Sequence, residues 1–299
     1  MPETIRMNLV KLIDQFHSED ACREYLERLR WPDGVYCNRC GNTSISRIED
    51  RHQYECNEVS CRYQFTVTAG TIFHDSKLPL WKWFMAIYLV IESKKGISAA
   101  QLGRTLGVTY KTAWYLSHRV RAAVCSDDDP KLRGAIEMDE TFVGGKKRMG
   151  RKQSKKAVVI GAVQRGGQIR LQVIPARDKM AIRDFIKQHT DDDTDVFYTD
   201  SFTGYIGIDD HNTFHVALNH RAGEYVIDGD VHTNSIENVW SLLKRSIVGS
   251  FHKISIKHLN AYLDELEWRF NNRENPFIFR DTLKRMIDAD SLQYAELIA

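Results

Sequence analysis

Two closely spaced pairs of cysteines place the strongest constraint on how this chain folds. The first pair is Cys37 and Cys40, the second is Cys56 and Cys61, and a polar, strand-like segment separates them. Four thiolates spaced in this way are typical of a tetrahedral zinc site that ties two turns together. The pattern predicts a small hairpin around Zn²⁺. The metal is expected to be structural, since four protein ligands leave no open coordination position.

The cellular compartment bears on this interpretation. The N-terminal segment has no apolar stretch followed by a small-residue cleavage site, so secretion is not expected. The longest apolar stretch, residues 81–91, contains Lys82 and is too short to span a membrane. We therefore expect a cytoplasmic protein without a membrane partner. In that reducing compartment close cysteine pairs favour a metal over disulfides, and four reduced thiols without metal are the alternative.

Helical patterns flank the cysteines. Residues 18–30 predict a helix capped by Ser18, and residues 80–92 predict a strongly apolar one. Residues 98–124 predict two helices with Gly107 at the turn between them, the pattern of a helix-turn-helix, although an ordinary helical hairpin is the alternative. The second of these helices would present its outward side chains to a DNA major groove, and the candidates are Tyr110, Lys111, Thr112, Tyr115 and Arg119.

The pattern changes after a charged segment that contains proline and glycine, residues 126–134. Three short strands with glycine turns follow, then a helix, two strands and two further helices. This order predicts an α/β (mixed) fold class, with a ribonuclease H-like domain built on a mixed sheet with flanking helices.

Three acids and one lysine fall at informative places in this second part. Asp139 lies within a strand, Asp200 ends a later strand, and a predicted helix carries Glu237 and, seven residues on, Lys244. Side chains alternate between the faces of a strand, so Asp139 and its neighbour Glu140 cannot enter the same site. Glu140 shares its face with apolar residues, which makes Asp139 the better candidate ligand.

Carboxylate oxygens suit Mg²⁺ or Mn²⁺. Two such ions about 3.5–4 Å apart could activate the attacking oxygen and stabilise the departing one in a displacement at phosphorus. Each acid alone also has a structural interpretation: Asp200 could cap a turn, and Glu237 could complement a helix dipole. Their joint presence on the expected elements favours a catalytic site.

The net charge of the chain is only +2, so overall charge does not indicate a nucleic-acid partner. Basic residues are nevertheless concentrated between residues 146 and 156. Local basic segments can bind phosphates on a nearly neutral protein, and a solvated surface loop is the alternative. The candidate DNA contacts in this stretch are Lys146, Lys147 and Arg148.

Taken together, these motifs resemble one family. The stretches RWPDGVYCNRCG, IEMDETFVGGK, YTDSFTGY and VHTNSIENVWSLLKRSIVGSFH are similar to those of bacterial insertion-sequence transposases of the DDE class, in the ISXO-like group with a zinc ribbon and helix-turn-helix. The resemblance spans roughly residues 18–275. It implies that Asp139, Asp200 and Glu237 are catalytic acids that hold two Mg²⁺ or Mn²⁺ ions, and that Lys244 contacts transposon-end DNA. Relatives can carry Asn or His at the third acid position, where this chain has Glu.

The expected domain order follows: an N-terminal helical segment (1–32), the zinc ribbon (33–72), the helix-turn-helix region (76–126), the catalytic domain (131–285) and a C-terminal tail (286–299). The expected function is DNA strand cleavage and strand transfer at terminal inverted repeats, with transposon-end and target double-stranded DNA as partners. A homo-oligomer on DNA and a nucleoid-associated location are expected. The alternatives are a domesticated or regulatory DNA-binding protein and a metal-dependent nuclease that does not join strands.

Overall fold

The computed structural model describes residues 6–125, 129–144, 156–209, 213–218 and 233–299. The chain divides into two compact units, and the first is made from two separate parts of the sequence. Unit 1 contains Met1–Cys125 and Glu274–Ala299, and unit 2 contains Ser126–Arg273. Within the described ranges, no helix is both long enough and apolar enough to cross a membrane.

Unit 1 combines helices with a small three-stranded antiparallel sheet in the order β1-β2-β3. The predicted helix after Ser18 is present, with the Ser18 side chain accepting a hydrogen bond from the backbone of Ala21. The predicted apolar helix at residues 80–92 is also present. The elements of unit 1 are α1 (Leu9–Gln15), α2 (Glu19–Arg30), β1 (Ile45–Ile48), β2 (Gln53–Cys56), β3 (Gln64–Phe65), α3 (Leu80–Glu92), α4 (Ala99–Leu106), α5 (Tyr110–Val124), α9 (Ile278–Asp288) and α10 (Tyr294–Ile298).

The C-terminal helix α9 completes the core of unit 1. Phe279 is 2% exposed, and its ring lies 5.9 Å from that of Phe16 and 5.8 Å from that of Phe84. The sequence predicts that residues 274–285 belong to the catalytic domain and that the remaining C-terminal residues form a tail. The structure groups them with unit 1, because the apolar face of α9 packs against α2, α3 and α5.

Helices α4 and α5 are the two helices predicted for residues 98–124, with Gly107 between them. The turn is Gly107, with a left-handed φ of +62°, followed by Val108 and Thr109. A methyl group on Gly103 would lie 3.1 Å from the carbonyl oxygen of Val108, so the backbone approaches this glycine closely. Ser98 and Thr109 cap the two helices with their side-chain oxygens.

Unit 2 is built on a five-stranded mixed sheet in the order β6-β5-β4-β7-β8. Strand β4 pairs antiparallel with β5, β5 pairs antiparallel with β6, and β7 and β8 are parallel to β4. Helices flank the sheet, and this is the α/β order expected from the sequence. The elements of unit 2 are β4 (Ala135–Val143), β5 (Ala157–Gln164), β6 (Ile169–Ile174), α6 (Lys179–His189), β7 (Val196–Asp200), β8 (Phe214–Leu218), α7 (Asn234–Ser246) and α8 (Leu259–Asn271).

Both faces of the sheet are covered, and β4 contributes to both. Ile136 and Met138 belong to a buried cluster with Ile182 and Phe185 of α6. On the opposite face, Val143 belongs to a cluster with buried residues of α7 and α8. Strand β4 is therefore central, and side chains at alternate positions along it meet different helices.

Candidate active site and zinc site

The four cysteines of the two pairs converge in unit 1. Their sulfur atoms all lie within 4.8 Å of one another, with Cys37 Sγ 3.8 Å from Cys61 Sγ and Cys40 Sγ 3.5 Å from Cys56 Sγ. Thiolates at about 2.3 Å from a zinc ion in tetrahedral geometry would lie roughly 3.8 Å apart. The donor set and its spacing therefore fit a structural Zn²⁺, as the sequence predicted.

The backbone around the first pair forms a turn suited to metal binding. The Arg39 amide points toward Cys37 Sγ at 3.4 Å, and the Gly41 amide donates to the Cys37 carbonyl at 2.8 Å. Gly41 has a φ of +75°, a conformation that side-chain-bearing residues rarely adopt. Gly41, the residue that follows Cys40, thus closes the turn.

In unit 2, Asp139 and Asp200 lie at equivalent positions on adjoining parallel strands. The paired positions of β4 and β7 end with Glu137 opposite Tyr198, and each aspartate lies two residues further along its own strand. Both side chains are half-buried. The carboxyl ends of parallel strands are where ligands of α/β sheets gather.

Helix α7 is tied to Asp139 through Trp240. The indole Nε1 donates a hydrogen bond of 2.9 Å to Asp139 Oδ2, and Trp240 is only 4% exposed. Trp240 lies one helical turn after Glu237, whose side chain is exposed. The structure therefore brings the helix that carries Glu237 and Lys244 against the strand that carries Asp139.

A glycine makes room for this contact. Gly161 of β5 is the residue paired with Asp139 in the sheet. A methyl group on Gly161 would lie 2.6 Å from Cη2 of Trp240 and 2.9 Å from a methyl carbon of Leu171. No real Cβ is that close to a neighbouring carbon, so the indole can cover the sheet at this point only because residue 161 has no side chain.

An arginine that was not among the predicted site residues lies beside Asp200. Arg177 Nη2 lies 3.1 Å from Asp200 Oδ2 and 2.9 Å from Glu140 Oε2. Its guanidinium also stacks on the ring of Phe202, 3.8 Å from the centroid. Asp200 additionally accepts a hydrogen bond from the Phe202 amide at 3.0 Å, so the turn-capping role that was its alternative interpretation is present as well.

Burial and neighbouring charges shift the pKa values of Asp139, Glu140 and Arg177. Burial raises the pKa of Asp139, and the nearby negative charge of Asp200 raises it further, while hydrogen bonds and Arg177 act in the opposite direction. Burial likewise raises the pKa of Glu140. Burial opposes the charge of Arg177, but the carboxylates of Glu140 and Asp200 outweigh it and raise the pKa of the guanidinium.

The carboxylates fit a divalent cation by the chemistry of their donors. Asp139 and Asp200 offer hard oxygens side by side, and a cation between them would relieve the repulsion that raises the pKa of Asp139. The three acids do not form a tight cluster, however. In the part of the chain that the structure describes, only the four cysteines place three or more candidate ligand atoms within 4.8 Å of one another.

The candidate DNA contacts on α5 separate into two groups. Tyr110 and Lys111 are exposed and Thr112 is half-buried, so the outward orientation expected for the start of the helix is present. Arg119 is 4% exposed and donates to the carbonyl of His74 at 2.8 Å. The expectation that Arg119 faces outward is therefore wrong, because its guanidinium packs over the Trp83 ring at 5.0 Å.

Two further candidates for DNA contact, Tyr115 and Lys244, differ in their exposure to solvent. Tyr115 is half-buried, its hydroxyl donates to the carbonyl of Leu292, and its ring meets that of Tyr294 at 5.4 Å. Lys244 is exposed near the end of α7. Lys146, Lys147 and Arg148 lie outside the described residues.

Sequence reasoning missed four residues of this site: Glu137, Gly161, Arg177 and Trp240. Strand alternation was a usable signal for Glu137, because it places residues 137 and 139 on the same face of β4. Helical spacing was a usable signal for Trp240, three residues after Glu237. Gly161 and Arg177 gave no local signal, since their roles depend on how the elements pair in the folded sheet.

Comparisons with known proteins agree with the motifs. Residues 131–271 match the ISXO2-like transposase domain, and residues 17–64 match the transposase zinc-ribbon domain. The chain is 31% identical over 280 residues to an uncharacterised protein in transposable element ISH50 of Halobacterium salinarum, covering 86% of this chain and 92% of that protein. It is also 31% identical over 102 residues to an uncharacterised transposase-like protein of Haemophilus influenzae, covering 34% of this chain and 80% of that one.

Two solved structures resemble the chain loosely. The Mos1 strand transfer complex aligns with 69% of this chain and 75% of its own chain, at 10% identity and a TM-score of 0.30. A pre-cleavage Mos1 transpososome aligns with 70% of this chain and 80% of its own, at 10% identity and a TM-score of 0.23. At these scores neither likeness bears on the fold or the chemistry of this chain.

Proposed function

The chain belongs to the ISXO2-like transposase family, and on that premise we propose that it is the transposase of an insertion sequence. It binds the terminal inverted repeats of its element, cleaves DNA strands there and transfers them to a target. The observation that carries this proposal is the placement of Asp139 and Asp200 at equivalent positions on adjoining parallel strands, with α7 attached to Asp139 through Trp240.

In this proposal Asp139, Asp200 and Glu237 hold Mg²⁺ or Mn²⁺. When bound, these cations supply Lewis-acid stabilisation of the charge that develops on the phosphate oxygens. Asp139 must be ionised to act as a ligand, and the hydrogen bond from Trp240 favours its ionised form and orients it. Asp200 is oriented by the Phe202 amide and by Arg177.

The remaining residues of the site would contact DNA. Lys244 is exposed on the same helix as Glu237 and would bind the phosphate backbone at the transposon end. Basic residues 146–148 are proposed as further phosphate contacts. Phosphate contacts of this kind position a duplex without reading its sequence.

Unit 1 would supply recognition of the element's ends. Its zinc ribbon would help to hold the terminal repeats, and the start of α5 presents Tyr110, Lys111 and Thr112 as candidates for major-groove contacts. Because two ends must be brought together, we expect at least two protomers in the complex on DNA. The partners are thus double-stranded transposon-end and target DNA and a second copy of the chain.

A strand-transfer assay tests the proposal. Purified protein is incubated with labelled duplexes that carry the element's ends, a target plasmid and Mg²⁺, and joined products are separated from hydrolysed ones. We expect joined product from the wild type and none from Asp139→Asn, Asp200→Asn or Glu237→Gln, with DNA binding retained. Full activity of Asp200→Asn would contradict the assignment of the acids, and cleavage without joining would identify a nuclease.

A further inference from the structure

Glu137 is a fully buried carboxylate that the proposed chemistry does not use. It lies in β4 with 0% exposure. Ser235 donates to it twice, from its amide at 2.8 Å and from its hydroxyl at 3.0 Å, and the Ile236 amide donates at 3.2 Å. Arg165 Nε donates a fourth hydrogen bond of 3.0 Å. Burying a carboxylate costs free energy unless hydrogen bonds and an opposite charge compensate it, as they do here. We therefore infer that this carboxylate has a specific structural role.

The hydrogen-bond donors around Glu137 indicate that its carboxylate caps α7. The helix begins at Asn234, so Ser235 and Ile236 are its second and third residues, whose amides have no acceptor within the helix. Thr233, the residue that precedes the helix, provides no side-chain cap. Glu137 accepts both amide hydrogens instead, and its negative charge complements the positive end of the helix dipole.

Glu137 and the amides that it caps lie next to a proposed catalytic acid in β4 and to another in α7. Along β4, Glu137 is two residues before Asp139 and on the same face of the strand. Along α7, Ile236 immediately precedes Glu237. The hydrogen bond from Trp240 to Asp139 holds the next turn of the helix. Two neighbouring side chains of β4 therefore hold α7 on either side of Glu237.

Arg165 completes the arrangement. Its guanidinium balances the charge of Glu137 and lies 4.0 Å from the centre of the Tyr198 ring. Tyr198 is the residue of β7 paired with Glu137, two positions before Asp200. The interactions of Glu137 thus extend to all three elements that carry the proposed catalytic acids.

We propose that Glu137 is a positioning residue that caps α7 and thereby fixes Glu237 relative to Asp139. Glu237 lies in the first turn of its helix, the part that frays when its amides lack acceptors. This inference rests on the proposed function, because it assumes that Glu237 and Asp139 bind the same cations.

The test measures Mn²⁺ affinity by isothermal titration calorimetry with the full-length, zinc-loaded protein. Glu137→Ala removes the cap, and its affinity is expected to fall roughly 10- to 100-fold, as when a residue that orients a metal ligand is lost. Glu137→Gln retains an oxygen that accepts both amide hydrogens, and its loss is expected to stay below about threefold. Hydrogen exchange at the Ser235 and Ile236 amides should accelerate in Glu137→Ala alone.

Glu267→Ala is the matched control. Glu267 is a half-buried carboxylate of unit 2, accepting from the Leu171 amide at 2.9 Å and pairing with Arg170 at 3.3 Å, but it joins α8 to β6. Its loss should lower the melting temperature and leave Mn²⁺ affinity unchanged. If Glu137→Ala does not fold, Ser235→Ala removes one hydrogen bond to the same carboxylate, and its affinity should fall about fivefold.

The outcomes separate the two proposals. Wild-type affinity in folded Glu137→Ala, or in Ser235→Ala where the first variant does not fold, would overturn the positioning role and leave the proposed function intact. Equal losses in Glu137→Ala and Glu137→Gln would also overturn it, because they would show that accepting the two amide hydrogens is not what sustains Mn²⁺ affinity. Wild-type affinity in Asp139→Asn would instead contradict the proposed function itself.

Discussion

Trp240 donates its indole hydrogen to Asp139, joining α7 to the central strand of the sheet by one hydrogen bond of 2.9 Å. The indole is nearly fully buried, so this bond is protected from competing water. It orients the carboxylate and stabilises its ionised form. Trp240 is therefore the side chain whose loss should affect Asp139 most directly.

We predict that Trp240→Phe lowers Mn²⁺ affinity by about 10-fold or more, because Asp139 loses the group that orients it. The measurement is calorimetric titration of the zinc-loaded protein. Trp268→Phe is the control, since Trp268 is another buried tryptophan of unit 2, on α8. An equal loss of affinity in both variants would mean that general destabilisation, not the bond to Asp139, is responsible.

We predict that Gly161→Ala destabilises unit 2 by about 1–3 kcal/mol, the usual effect of overpacking a filled core. The added methyl would meet Trp240 at 2.6 Å, so Mn²⁺ affinity should fall as well. Urea unfolding measures the first effect and calorimetry the second. Gly249→Ala has open space around the new methyl and should be neutral or slightly stabilising.

We predict that purified wild-type protein contains about one zinc ion per chain and that Cys56→Ser contains none, because four thiolates complete one tetrahedral site. Loss of the metal should unfold the small sheet of unit 1, which has little core of its own. Metal content is measured by atomic emission. Cys125→Ser, at an exposed cysteine outside the cluster, should retain its zinc.

We predict that Glu267 makes stability depend on pH. Burial raises the pKa of Glu267 from 4.5 to about 8 in the folded chain. The folded state therefore holds this proton more tightly than the unfolded state, so the stabilisation is complete below pH 4.5 and is lost as the pH rises through about 8.

The measurement is the free energy of unfolding of wild type and Glu267→Gln at a series of pH values. The wild type should lose stability relative to the variant as the pH rises between about 5 and 9. The difference cancels the titrations that the two proteins share. A difference that stays constant over this range would contradict a raised pKa.

We predict different effects for two basic residues of α5. Lys111 is exposed, so Lys111→Ala should weaken DNA binding, reduce the slope of its salt dependence by about 1 and leave the melting temperature unchanged. Arg119 is buried, so Arg119→Ala should destabilise unit 1 by about 1–3 kcal/mol. Fluorescence anisotropy with transposon-end duplexes measures DNA affinity, and thermal melting measures stability. If Arg119→Ala were as stable as the wild type but bound DNA more weakly, Arg119 would be a DNA contact after all.

Much of this architecture could be predicted from the sequence because its signals are local. Cysteine spacing, helix caps and strand alternation each depend on a few neighbouring residues. These signals predicted the zinc cluster and the start of α2. They also predicted that Asp139 and Glu140 lie on opposite faces of their strand. In the structure Asp139 accepts a hydrogen bond from Trp240, and Glu140 accepts one from Arg177.

The remaining features depend on contacts between distant segments. The burial of Arg119 requires Trp83 and His74, which lie more than thirty residues earlier. The need for glycine at position 161 arises only when α7 packs on β5. Glu137 could be assigned to a face of β4, but its partner helix begins almost a hundred residues later.

The two-part construction of unit 1 has a consequence for the order of synthesis. Helix α9, which buries Phe279 against Phe16 and Phe84, leaves the ribosome only after the whole of unit 2 has been translated. The N-terminal part of unit 1 therefore lacks this helix until all of unit 2 has been synthesised. A chain terminated before residue 274 never gains it, so unit 1 can be completed only in a chain that already contains unit 2.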